Sequence, residues 1–228
     1  MTPVFAARAV QTALAALGRS HRQVLEVGCG RGDTLRLVAD LLPGTELTGI
    51  DPSHAAIAAA RELLGHDSRI SLYRHAAEDL LDAAVADRVS EADLVLVHLT
   101  VGLWPDVVGG LHACVGRLSP GGLCYVLDLL RPNTEHAAAA YLAPALTGDE
   151  IRYVRDQMAA WYSTDEVEWL AESVCGNHVE VRHRIGFSSF AEVAAGVTDV
   201  SSLAICEPTT AVRHTETDNV FQLFFERS

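Results

Sequence analysis

The chain has 228 residues, of which 49% are apolar, a size and composition that suit one α/β domain with a substantial core and leave little room for two. Acidic residues outnumber lysine plus arginine by 30 to 17, and the resulting formal charge of −13 repels nucleic-acid phosphates and anionic membrane surfaces. All of those basic residues are arginines, and the lack of lysine excludes Schiff-base, pyridoxal-phosphate and Walker-type lysine chemistry.

The stretch Val4 to Leu17 is alanine-rich and mildly amphipathic, and it reads as an N-terminal helix within residues 1–20 rather than a signal peptide or membrane span. Short apolar runs of strand length follow at Val24 to Val27, Glu46 to Ile50, Ile70 to Tyr73 and Leu94 to Val97. Three more lie at Leu123 to Leu129, Val179 to Ile185 and Val220 to Phe225. Their alternation with helical patterns predicts a mostly parallel sheet covered by helices. The helix after the first run has Asp33 as its expected N-cap, Leu35, Val38 and Leu42 at helical spacing, and Pro43-Gly44 as its stop. A second starts at Ser53 and carries Ile57, Arg61 and Leu64 before Gly65. Leu118-Ser-Pro-Gly-Gly122 predicts a tight turn into the fifth run. Further on, Ser163 or Thr164 caps a helix, with Glu166 as capping-box partner if Ser163 is the cap. The polar stretch Glu207 to Asp218 reads as a long loop. Cys29, Cys114, Cys124, Cys175 and Cys206 are scattered without a Cys-x-x-Cys pair, so they predict reduced thiols in a cytoplasmic protein. Neither a Ser-His-Asp arrangement nor a metal-ligand spacing such as His-Glu-x-x-His occurs, and no metal is expected.

The densest signal is Val24-Leu-Glu-Val-Gly-Cys-Gly-Arg-Gly-Asp-Thr-Leu35, in which a buried strand passes to a helix through three close glycines. Such a turn brings backbone N–H groups and a helix N-terminus against a ligand. Gly28, Gly30 and Gly32 recur at every second position, whereas a dinucleotide fingerprint is Gly-x-Gly-x-x-Gly. Glu26 adds a carboxylate that suits a cationic ligand better than a pyrophosphate. Asp51 closes the second run in Gly-Ile-Asp-Pro-Ser, about two dozen residues after Gly28, where a carboxylate can accept from both hydroxyls of a ribose.

Glu26-Val-Gly-Cys-Gly-Arg-Gly32 resembles the Glu/Asp-x-Gly-x-Gly-x-Gly signature of class I S-adenosylmethionine (SAM)-dependent methyltransferases. That resemblance implies a Rossmann-like sheet of seven strands, mostly parallel with the last antiparallel and helices on both faces, in a single domain over residues 1–228. SAM is the implied cofactor, held by Glu26, Gly28, Cys29, Gly30 and Gly32 on the turn and by Asp51, Pro52 and Ser53 after the second strand. His75-Ala-Ala-Glu-Asp-Leu80 is similar to the family's adenine-binding Gly-Asp-Ala-Glu-x-Leu. Ala76 stands where a polar side chain usually meets the adenine amino group, which leaves the N–H of Ala77 and the carboxylate of Glu78. His98 ends the fourth run, where the family joins cofactor to substrate, and is the candidate either to position the sulfonium or to act as catalytic base. Arg117 to Pro132, with Asp128 and Arg131-Pro132, and Met158 to Val167 resemble the ubiquinone and menaquinone methyltransferase-like branch acting on small molecules.

The acceptor is expected under the segment 131–165, with Arg131, Trp161 and Tyr162 as its contacts, chosen for their capacity to stack on a flat ligand or grip an anionic one. The expected reaction is in-line transfer of a methyl group to a small molecule, a specialised metabolite or a short peptide. Two alternatives keep SAM but not the transfer: a cyclisation or elimination on the same fold, and a non-catalytic SAM-binding subunit. A second copy of the chain, forming a homodimer, is the other candidate partner.

Overall fold

The apolar runs become β1 (Gln23–Val27), β2 (Glu46–Ile50), β3 (Ile70–Tyr73), β4 (Ala92–His98), β5 (Leu118–Leu129), β6 (Val179–Phe187) and β7 (Val220–Arg227). The computed structural model describes residues 22–142, 147–176, 178–187 and 220–228, together with Val10, Ala13, Leu14 and Leu17, which are helical. The strands form one sheet in the order β3-β2-β1-β4-β5-β7-β6. Pairs from β3 to β5 are parallel, and β7 runs antiparallel to both β5 and β6. The expected long loop at Glu207 to Asp218 lies outside the described residues.

Side-chain alternation divides the core into two layers. On one face Val24, Leu47, Leu94, Leu96, Tyr125 and Phe224 meet Val10 and Ala13, α1 (Asp33–Leu41) and α2 (His54–Leu64). On the other, Leu25, Val27, Val95, Val97, Val126 and Phe225 lie beneath α4 (Val107–Gly116) and α7 (Thr164–Val174), with the short α3 (Ala83–Ala86) at the edge. Each fully buried branched aliphatic contributes about 1.5–3 kcal/mol. α7 shows why its sequence is helical: Val167, Leu170, Ala171 and Val174 form one buried stripe, and the Ser163–Glu166 capping box closes its start.

Two local expectations are corrected. The first residue of α1 is Asp33, and its N-cap is Gly32 at φ +86°, which supplies no side-chain bond. The Leu-Ser-Pro-Gly-Gly segment is not a turn ahead of β5 but a bulge within it. Ala92 pairs with Leu118 and Leu94 with Leu123, so residues 119–122 loop out with Gly121 at φ +70°. The segment 131–165 holds α5 (Glu135–Leu142) and α6 (Gly148–Ala160), the latter opened by a Thr147–Glu150 capping box. Among the described residues no helix is long and apolar enough to cross a membrane.

Candidate functional site

Register builds the site. Val27 lies opposite both Ile50 and Val97, so the next residues, Gly28, Asp51 and His98, leave three neighbouring strands at one level. The strand order reverses at β1, with β2 on one side and β4 on the other, which opens a crevice beyond the carboxyl ends.

The three glycines serve different ends. Gly28, at φ +75°, lies so close to Thr100 that a Cβ would stand 2.5 Å from its Oγ1. Gly32 is pressed against Leu64 of α2, again at 2.5 Å from an added Cβ. Gly30, at φ +53°, has nothing within 4 Å of that position, so it borders open space. Its N–H donates to Asp51 Oδ2 at 3.0 Å, while Asp51 Oδ1 accepts from Ser53 N–H at 2.8 Å. Each oxygen retains acceptor capacity. Ser53 caps α2 through Ala56 N–H, and Pro52 joins it to the strand end.

Glu26 points from β1 at the first turn of α1, where the Thr34 hydroxyl and the Leu35 N–H donate to it. It therefore supplies the capping that Gly32 cannot. Burial pushes its carboxyl up to about 8, against the lowering effect of those two bonds, and its Oε2 has no partner. Cys29 turns its side chain inward, where an added Cβ at Gly49 would stand 2.9 Å from its Sγ. Burial, with Glu26 and Asp51 nearby, raises that thiol far above its ordinary range, so it is not a nucleophile.

After β3, Ala76 N–H donates to Asp79 Oδ2 at 2.9 Å, and Ala77 is buried. Glu78 begins a short 3₁₀ turn, and its Oε1 accepts from Asp106 N–H at 3.2 Å, tying the segment to the start of α4.

His98 is buried with both ring nitrogens unpartnered, and its ring meets Tyr125 edge-on at a centroid distance of 5.7 Å. Burial lowers its pKa to about 4, so the imidazole is neutral at physiological pH. Leu99 follows at φ +53°, the one non-glycine residue with positive φ among those described. Next, Thr100 packs on Gly28 and accepts from Trp104 Nε1 at 3.3 Å, and Val101 N–H donates to Asp128 Oδ2 at 2.8 Å.

On the far side of this segment lies a cleft of about 360 Å³, lined by Leu99, Gly102, Leu103, Asp128 and Leu129 and by α6 through Tyr153, Val154, Gln157 and Ala160, with Trp161 beyond it. Of the expected acceptor contacts, only Trp161 reaches it. Tyr162 is half-buried with its ring edge-on to Phe221, and Arg131 pairs with Glu166 at 3.1 Å. His98 leaves β4 on the Tyr125 face and does not line the cleft. Sequence reasoning missed Thr100, Leu103 and Gln157 as site residues and saw Asp128 only as a family mark. The one readable signal was Thr147-Gly-Asp-Glu150, a capping box announcing the helix that walls the cleft.

A seven-stranded sheet in this order, with a glycine turn and an acidic second-strand end at the switch point, defines a Rossmann-like fold of methyltransferase type. Residues 25–124, from β1 into β5, match the family model described as "Methyltransferase domain". A ubiquinone biosynthesis O-methyltransferase of Aromatoleum aromaticum (strain DSM 19018 / LMG 30748 / EbN1) is 27% identical over 152 residues, 64% of this chain and 63% of that protein. A trans-aconitate 2-methyltransferase of Acidovorax sp. (strain JS42) is 27% identical over 167 residues, 71% of this chain and 60% of that one. The chain thus spans about three fifths of the length of these curated relatives. Among solved structures, the plantazolicin methyltransferase BamL, crystallised with a triazolic desmethylPZN analogue and SAH, superposes with a TM-score of 0.77. It is 20% identical, and the match covers 99% of this chain and 85% of that one.

Proposed function

We propose that the protein is a SAM-dependent methyltransferase that transfers a methyl group to a nucleophilic atom of a small molecule by in-line displacement. The observation that supports this most directly is the open face of Gly30 beside the Asp51 carboxylate at the strand switch point. The donor set fits SAM: the unpartnered Glu26 Oε2 and the free nitrogens of His98 suit its amino-acid end, and Asp51 suits its ribose hydroxyls. Ala77 N–H and the Glu78 carboxylate are left for the adenine ring, with Pro52 and Ser53 shaping the turn between. SAM supplies a methyl group already activated by positive sulfur. What the chain must do is exclude water and hold the acceptor atom at about 3–3.5 Å from the methyl carbon. The wall from Leu99 to Leu103 suits that task, because Thr100 abuts the glycine turn while Leu99, Gly102 and Leu103 face the cleft.

Calorimetric titration with S-adenosylhomocysteine (SAH), the demethylated product, tests the cofactor reading. Asp51→Ala removes the carboxylate that holds Gly30 and receives the ribose, and the expected loss is at least about tenfold in affinity, the value of a charge-assisted hydrogen bond. Unchanged SAH binding would sink the proposal. Mass spectrometry of products formed from isotopically labelled SAM then separates transfer from a cyclisation, because only transfer adds the labelled methyl group.

A further inference from the structure

The acceptor cleft carries a charge pattern that its sequence did not announce. Asp128 is 5% exposed, whereas Leu103 and Tyr153 at the same cleft are 66% and 65% exposed, so the carboxylate lies deep and an apolar rim surrounds the mouth. Among the described lining residues Asp128 is the one carboxylate, and no arginine or histidine lines the cleft with it. Burial raises its pKa to about 6, against the lowering effect of its backbone hydrogen bonds, so it is ionised for the most part at neutral pH. The nearby Arg131 is taken by Glu166. The amides of Val101 at 2.8 Å and Leu129 at 2.7 Å, with those of Thr100 and Gly102 beside them, fix the carboxylate in place.

We infer that the acceptor is an amine on a flat, apolar body, with its reacting nitrogen in the field of Asp128. This rests on the methyltransferase reading and deepens it. The chemistry separates amines from oxygen acids by sign. An alkylammonium enters the cleft and loses a proton to water. The nitrogen lone pair then forms the N–CH3 bond while the C–S pair returns to sulfur, leaving a neutral thioether and a methylated ammonium. Positive charge therefore moves from sulfur to nitrogen. A carboxylate on the acceptor side stabilises that migration more in the transition state than in the ground state. A phenolate or carboxylate acceptor brings negative charge toward Asp128 and is repelled before any transfer. The apolar rim of Leu103, Tyr153 and Trp161 suits a ring system as the carrier.

Three probes with one body separate these outcomes: 2-(aminomethyl)naphthalene, 2-naphthol and 2-naphthoic acid, titrated against the SAH-saturated protein and then incubated with SAM. The expected result is binding of the amine at least about tenfold tighter than the naphthoate, with a single methyl mass gain on the amine. Asp128→Asn should erase the preference while leaving SAH affinity within a factor of about three. Because Asp128 also holds the Val101 turn, Gln157→Glu provides an independent arm. It adds a carboxylate to the cleft wall from α6 and should raise the amine-to-naphthoate ratio. Equal or tighter naphthoate binding, a preference that survives Asp128→Asn, or no binding of any probe by protein that binds SAH overturns the inference. Failure to bind SAH overturns the methyltransferase reading itself.

Discussion

The glycine turn predicts that two neighbouring Gly→Ala substitutions fail in different ways. In Gly28→Ala the new side chain is held at φ +75°, which costs about 1–2 kcal/mol for a left-handed L-residue. Its Cβ would also stand 2.5, 2.8 and 2.9 Å from Thr100 Oγ1, Cγ2 and Cβ, and a β-branched side chain between β4 and the 3₁₀ turn Val101–Leu103 has little freedom to yield. Overpacking of this kind adds about 1–3 kcal/mol, so the expected loss is about 2–5 kcal/mol, a large share of the ~5–15 kcal/mol of a typical domain. Gly30→Ala pays the backbone cost at φ +53° but meets nothing within 4 Å, so its stability loss is about 1–2 kcal/mol. Its methyl group instead occupies the space assigned to the ligand, and a clash of about 1–3 kcal/mol there lowers SAH affinity about 5- to 150-fold. Urea unfolding of the free proteins and calorimetry with SAH read the two losses separately. Adding Thr100→Ala to Gly28→Ala should return about 1 kcal/mol through the coupling of touching residues. Equal destabilisation of both variants, or undiminished SAH binding by Gly30→Ala, refutes the assignment of clash to one glycine and ligand contact to the other.

The buried Glu26 sets a pH dependence. Burial pushes its carboxyl from 4.5, the value of an exposed glutamate, up to about 8, so between those values the folded state binds more protons, and stability falls as pH rises from about 4.5 to about 8. Glu26→Gln should remove that slope in urea midpoints measured from pH 5 to 8.5, and an unaltered slope refutes the desolvated carboxyl. At the other end of the fold, Ser163→Ala breaks the Ser163–Glu166 capping box and should cost about 1 kcal/mol, seen as a fall in Tm of about 2–4 °C.

The first three strands were legible because each is a short run of β-formers bounded by helix and turn signals: β1, β2 and β3 contain the runs read for them with almost no extension. The ends of β4 and β5 were not. His98 closes β4 as a buried polar residue, and Leu118 pairs with Ala92 across a bulge that its Pro-Gly-Gly sequence disguises as a turn. The N-cap of α1 misled for a different reason. A side-chain rule selects Asp33, but the cap comes from Glu26 on another element. Gly28 was visible as a glycine, yet its reason for being one, the Thr100 side chain, is a tertiary contact between residues far apart in sequence. The cleft fared worst, since Leu99, Asp128, Gln157 and Trp161 come from four elements and share no spacing that a sequence could display.

The segment from Leu99 to Leu103 ties these findings into one device. Leu99 holds a left-handed conformation that costs an L-residue about 1–2 kcal/mol, and it persists because its neighbours are fixed on every side. Leu99 N–H donates to Leu127 O at 2.8 Å, Val101 N–H to Asp128 at 2.8 Å, and Thr100 wedges against Gly28 while receiving Trp104 Nε1. The glycine turn and the cleft floor are thus two surfaces of one short, over-determined wall. A flexible wall would let the two ligands drift apart, and an ångström of drift is enough to lose orders of magnitude in a displacement reaction. Strain at Leu99 therefore has a use: it lets five residues turn sharply enough to touch the glycine turn with Thr100 and to line the cleft with Leu99, Gly102 and Leu103. The same carboxylate that anchors this wall, Asp128, also lies in the cleft lining, so the end of β5 joins the two surfaces.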